Sequence, residues 1–317
     1  MPVKIISPQQ KRLQRLIASY ERKIRAGFRS KIEEARRAIR IDELEALIES
    51  GDVEAALAVA LIIPQEINAL AVAAFIAAAE QTSREILLAT GVDVQFDDAQ
   101  ANALNIMRNR ALQVTSHFTH KQEEAVREVL LDGIRRGVNP RQQAIALRAS
   151  IGLTAKQVKA VNNFRDMLEA GSKEVLTRKL RDKRFDRTIN RAIRENKRIE
   201  RARIDRMVVR YRERYVKYRA GVIAQTEALS AVHQGKEEMF NHAIAQGHIT
   251  RESLEGTWVT VQDSLRRHHH ATMQGQKQPH GAFFTSGLGN QLLHPGDPNA
   301  PIEELANCRC LKVTRIL

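Results

Sequence analysis

Leu13, Leu16, Ile17, Tyr20, Ile24, Phe28, Ile32, Ala35 and Ile39 recur at the spacing of one helix face, and Lys and Arg fill the other faces. This period predicts a long amphipathic basic helix at the start of the chain. The pattern runs on through "IDELEALIESGD" and stops at Gly51, a predicted helix end. Val53–Ala79 is the most apolar stretch, but Pro64, Glu66 and Asn68 interrupt it. A membrane span needs about 20 largely apolar residues in a row. Two buried, tightly packed helices are therefore expected there, with no stable membrane span. "MPVKIISPQQKRL" has no apolar core of signal-peptide length.

Further along, Asp97 or Asp98 is a candidate cap for a helix over about 99–118, followed by a second at about 119–136. Thr154 and Gln157 have the form of a capping box, and Gly171 ends the helix that they begin. "EGTWVTVQD" and "CRCLKVTRIL" are β-branched and read as strands. The Gly-, Pro-, Asn- and His-rich segment between them reads as a long ordered loop. Aromatic residues make up only 4% of the chain. Gly and Pro are also too few for a sandwich or barrel. The expected fold class is mainly α. An elongated helical N-terminal and middle region precedes a small C-terminal α+β domain. The expected divisions are 1–120, 121–220 and 221–317.

Charge is uneven along the chain. The formal net charge is +14. Met1–Arg40 holds 12 Lys+Arg against 3 Glu, and Gly171–Ala220 holds 19 Lys+Arg against 7 Asp+Glu. Two basic blocks on a mildly acidic remainder point to a polyanion, most often nucleic acid. Arg187, Arg191, Arg194, Arg198 and Arg201 alternate spacings of four and three residues. On one long helix over about 186–234 they would form a single stripe. Ile204, Val208, Tyr211, Tyr215, Tyr218 and Val222 would be its apolar face. Guanidinium forks match phosphate oxygens, so the Arg stripe is the candidate DNA-binding surface. A solvated face paired with Glu195, Glu200 and Asp205 is the plainer account.

The last hundred or so residues carry an ordered series: "AGVIAQTEALSAVHQG", "TWVTVQDSLRRHHHATMQGQ", "FF" and "HPGDPNAPIEELANCRC". In order and spacing this series resembles the phage Mu F-like family, the minor head or head morphogenesis proteins of tailed bacteriophages. The matching signature positions are Thr226, Glu227, Trp258, Asp263, Arg267, His270, Gly275, Asn307, Cys308, Arg309 and Cys310. Gln225 stands where the family commonly has Arg. Further cysteines that some members carry before the residue matching Gly275 are absent, which argues against a cysteine-rich metal site.

His270, Cys308 and Cys310, with one of His268, His280 or His294, could supply zinc with nitrogen and sulfur ligands. The Cys-x-Cys spacing is shorter than usual for such a site, and the plainer account packs both cysteines as small apolar residues. Glu227, Asp263 and His270 could instead form an acid/base or metal-dependent nuclease site. The preferred expectation is structural. Asp263 would cap a turn, Arg267 would pair with a buried carboxylate such as Glu227, and Asn307 and Arg309 would tie the loop to the sheet. On this account the chain is not an enzyme and needs no cofactor, and His268 and His269 are surface neighbours.

The resemblance implies a virion component inside the capsid near the portal, made in the bacterial host cytoplasm. It would act in head assembly, genome delivery or both. Implied partners are the portal protein, the major capsid or scaffolding protein, and packaged double-stranded DNA held without sequence preference. The alternatives are a nuclease or toxin-like enzyme sharing the C-terminal module, and an assembly scaffold without DNA contact.

Overall fold

A computed structural model of the protein describes residues 7–60, 65–96 and 120–317. The helix expected over about 99–118, its Asp97 or Asp98 cap and residues 61–64 of the apolar stretch lie outside the described residues. The chain is mostly helical, with a small mixed region at its C-terminus. The helices are α1 (Pro8–Ala38), α2 (Ile41–Glu49), α3 (Val53–Ala60), α4 (Gln65–Thr90), α5 (120–135), α6 (Pro140–Ser150), α7 (Ala155–Glu169), α8 (Asp186–Arg194) and α9 (Arg201–Ala245). None of them is long and apolar enough to cross a membrane.

Two compact units are formed, and the divisions fall inside α1 and α9. The first contains the described parts of Met1–Gly27, Gln65–Gln113 and Gly221–Leu317; the second contains those of Phe28–Pro64 and Val114–Ala220.

In the second unit the predicted punctuation holds. Gly51 and Gly171 adopt positive φ at helix ends. Thr154 and Gln157 make both hydrogen bonds of a capping box at the start of α7. Stacking of Phe164 on Tyr211, with ring centroids 4.0 Å apart, joins α7 to the first part of α9.

The single helix expected over about 186–234 is broken. α8 ends at Arg194 and α9 begins at Arg201. Asn196 takes φ 49°. Lys197 N–H donates to Ala192 O at 2.9 Å, and Asn196 N–H donates to Ile193 O at 3.3 Å. This pair of bonds closes a helix end around a left-handed residue, a conformation that Asn tolerates well. Arg187, Arg191 and Arg194 therefore share α8, Arg198 lies outside any helix, and Arg201 starts α9. The expected continuous stripe does not form, because the backbone turns at Asn196.

In the first unit α4 crosses the second half of α9. Gly235 of α9 lies so close to the Phe75 carbonyl of α4 that no Cβ fits there. Ala79 and Ile86 pack with Met239, Phe240, Ala243 and Leu254 in one buried cluster. The sheet is built from β1 (Leu254–Val259), β2 (Lys277–Pro279) and β5 (Leu311–Ile316), in the antiparallel order β2-β1-β5. Leu254, Gly256 and Trp258 alternate inward along β1, as the strand pattern requires. α10 (His268–Ala271) follows β1, and the segment from Met273 that reads as a loop holds β2, the short pair β3 (Phe284–Thr285) and β4 (Gln291–Leu292), and α11 (Ile302–Leu305).

Candidate metal centre

α10 is only one turn long, and it places His270 beneath the sheet with 2% exposure. Cys308 and Cys310 lie just before β5, where an extended chain turns residues two apart to the same side. Both are buried and unoxidised. Cys310 Sγ is 3.4 Å from His270 Nδ1, and Cys308 Sγ is 3.7 Å from the same atom. A zinc ion in tetrahedral geometry, with its usual bond lengths, separates its sulfur and nitrogen ligands by about 3.6 Å. Both sulfurs thus already stand at about the separation from Nδ1 that a bound ion would impose. Two soft sulfurs and an imidazole suit zinc above harder cations.

The far side of the ring is also held. His270 Nε2 lies 2.6 Å from Glu304 Oε2. Glu304 is fully buried on α11, where its other oxygen accepts from Ser286 Oγ at 2.7 Å and Asn290 Nδ2 at 2.9 Å. With Nε2–H donating to Glu304, Nδ1 presents its lone pair to the sulfurs. A carboxylate behind a ligating histidine is the usual way to fix its orientation. His269 Nε2 stands 3.4 Å from Glu304 Oε2, so His269, His270 and Glu304 form a second possible ligand set. It shares His270 with the first, and the bound carboxylate fits better as support.

Electrostatics favour anionic sulfur here. Cys308 is held well below the usual thiol range, chiefly by the hydrogen bond from Cys310 and also by His270. Cys310 is pushed up, first by its bond to Cys308 and then by burial. Burial alone would lower His270, but Cys308 and Glu304 outweigh it and the net shift is upward. The pair thus shares one proton, which a metal displaces on binding. The buried indole N–H of Trp258 faces Cys310 and favours its ionised form.

Beside the ligands lies a cavity of about 20 Å³. It is lined by Arg266, Arg267, His270, Asn307 and both cysteines, among others. That is room for about one water.

The expectation that the chain is not an enzyme is corrected by this cluster. His270, Cys308 and Cys310 meet as potential metal ligands, with Glu304 behind them. Both cysteines are buried, as the plainer account had it, and they also stand beside His270 as candidate ligands. His268, His280 and His294 do not complete the set. His268 is exposed, His280 bonds Asn241 at 2.8 Å, and His294 stacks on His233 with centroids 6.0 Å apart. His269 is not a simple surface neighbour, since it faces Glu304.

No family model, curated protein or solved structure matches the chain. Its resemblance to a phage family accordingly rests on the signature residues themselves.

Those residues converge around the centre. Asp263 caps Leu265 N–H at 2.9 Å and pairs twice with Arg309, at 2.7 and 2.9 Å. Asn307, at φ 58°, donates its N–H to Thr226 Oγ1 at 2.9 Å. Gln225 Nε2 reaches Cys308 O at 3.1 Å. Gly275 takes φ 79° and donates to Trp258 O at 2.8 Å. The expected pairing of Arg267 with a carboxylate is replaced. Its guanidinium donates to the carbonyls of Glu304 and Ala306, because the end of α11 leaves those oxygens without helical partners. Glu227 is half-buried on α9.

Sequence reasoning missed Glu304, Ser286 and Asn290. Glu304 sits one short turn before the Asn-Cys-Arg-Cys run. Only that proximity could have marked it, since Glu303 beside it reads the same way.

Proposed function

We propose that the chain is a zinc-dependent hydrolase of phosphodiester bonds, with its centre at His270, Cys308 and Cys310. The observation that carries this reading is the triangle of ligand atoms around His270 Nδ1. Three protein ligands leave a fourth position, the pattern of catalytic rather than structural zinc. Bound zinc brings the pKa of a water in that position close to neutral. The adjoining cavity has room for such a water. Arg266 and Arg267 on its wall favour an anionic substrate. The net charge of +14 supports a nucleic acid as that substrate. Glu304 keeps His270 oriented, and the buried surroundings keep the thiolates dry.

The test is metal analysis of the purified chain together with a gel assay of DNA and RNA cleavage. The reading expects about one zinc per chain. It also expects cleavage that is lost in His270→Ala and in Cys308→Ser. Absence of zinc at stoichiometric supply would sink the centre. Zinc without any cleavage would sink the hydrolytic reading alone.

A second reading is a minor head protein of a tailed phage, placed at the portal vertex and acting in head assembly or genome delivery. It is supported by the way the residues of the resemblance interlock: Asp263 with Arg309, and Thr226 with Asn307. Its partners would be the portal protein, the major capsid or scaffolding protein, and packaged DNA. Mass spectrometry of full and DNA-emptied particles tests it. Stoichiometric presence in particles is the expected result, and absence from both kinds removes this reading.

A further inference from the structure

The second unit carries two adjoining clefts that share Arg184 and Arg210. The first, about 370 Å³, is walled by Arg29 and Arg36 of α1, Arg184 of a short turn, and Arg210, Arg214 and Lys217 of α9. Its acids are already engaged. Glu213 pairs with Arg36 at 2.8 Å. Asp182 pairs with Arg184 at 2.6 Å and Arg214 at 3.3 Å, and Glu33 stands 4.0 Å from Arg29. Arg210 and Lys217 are exposed and have no ion-pair partner among the described residues. The cleft therefore carries excess positive charge on heads that are not neutralised internally.

The second cleft, about 560 Å³, differs in chemistry. Phe185 and Val209 line it beside Arg184, Arg206 and Arg210. Val209 is 49% exposed, unusual for an aliphatic side chain on an otherwise packed helix. An anion site thus continues, across two shared arginines, into an apolar site edged by guanidinium groups.

We propose that these two clefts bind a single-stranded nucleic-acid segment. A phosphate occupies the first cleft against Arg210 and Lys217, and a neighbouring base lies against Phe185 and Val209. Alternation of phosphate and flat apolar base is the chemistry of a nucleotide chain. A purely acidic peptide would satisfy the first cleft but has no flat apolar group to place in the second. The site does not depend on the metal centre, and it does not use the Arg187–Arg191–Arg194 face of α8.

The experiment is fluorescence anisotropy of a short labelled oligothymidylate with the intact chain, over a range of salt. Arg210→Gln with Lys217→Gln is expected to weaken binding about 10-fold and to flatten the log–log salt slope by about 1.4, two contacts on a single strand. Phe185→Ala is expected to weaken binding about 10-fold with the slope unchanged. Arg187→Gln with Arg191→Gln and Arg194→Gln should leave binding within about 2-fold, apart from general screening. Unchanged affinity in the Arg210/Lys217 variant overturns the proposal. So does equal competition by poly-glutamate, which would assign the cleft to acidic protein. Competition by inorganic phosphate or a mononucleotide as strong as by the oligonucleotide would overturn the strand and leave only an anion site. Arg210 and Lys217 hold nothing in place, so their variants should melt with the parent. Oligonucleotide integrity is followed on a gel. Lost cleavage with intact binding then counts against the hydrolytic reading only, and lost binding with zinc retained counts against the clefts only.

Discussion

Glu304 Oε2 lies 2.6 Å from His270 Nε2, with its partner oxygen held by Ser286 and Asn290. This buried carboxylate has no exit to solvent, so its role is to orient the ring. Glu304→Gln is expected to weaken zinc affinity about 10- to 100-fold while leaving the three ligands in place. Competition with a chromophoric chelator measures it. Unchanged affinity would remove Glu304 from the centre.

Gly235 faces the Phe75 carbonyl where α4 and α9 cross. Alanine gains about 1 kcal/mol over glycine from helix propensity. A methyl group driven into backbone costs about 1–3 kcal/mol, and here the neighbour is a carbonyl that cannot rotate away. The clash wins, so Gly235→Ala should lower Tm. A raised Tm would mean that the two helices move apart without loss.

Lys312 is fully buried on β5 and donates to Glu237 at 2.7 Å. Burial would raise Glu237, but Lys312 overcomes it and holds it at about 2. Glu237→Gln leaves the ammonium without its counter-charge and should cost about 3–5 kcal/mol. Glu237→Leu with Lys312→Met should recover most of that loss. Urea unfolding of the single and double variants gives the comparison. If the double variant is no better than Glu237→Gln, the pair is not the source of the loss.

His233 is fully buried on α9. Its Nδ1 lies 2.9 Å from Leu229 O, and its Nε2 accepts Lys312 N–H at 3.0 Å. The neutral ring is satisfied on both sides, and a second proton would have to displace a backbone N–H. Burial first, then His294, hold its pKa at about 3. Burial also lowers His280 and His294. An unfolded histidine titrates near about 6.5. Below that pH the unfolded chain takes up a proton that the folded chain refuses. The contribution of His233 is therefore complete above about 6.5 and is lost as pH falls toward about 3, at about 1.4 kcal/mol per pH unit. Urea unfolding between those values should show this slope, and His233→Gln should reduce it by about one proton. A flat profile would mean that these rings protonate within the fold.

The local grammar of the chain determined its helices. The stripe from Leu13 to Ile32 is buried along α1, Thr154 and Gln157 close their capping box, and Gly51 and Gly171 stop helices. Each depends on neighbours within a turn or two, where period and backbone conformation settle the outcome. Strands β1 and β5 were legible for the same reason. The break at Asn196 was not, because arginine spacing continues across it and only the backbone turn separates α8 from α9. The candidate metal centre was legible in part: His270, Cys308 and Cys310 stood out by residue type. Their meeting was decided by the register of β1 against β5 and by α10, which bring residues 38 and 40 positions apart into contact. Glu304 entered only there, since a carboxylate becomes a histidine's support by position in space. Likewise the first cleft of the second unit joins α1 to α9, a juxtaposition that no local pattern carries.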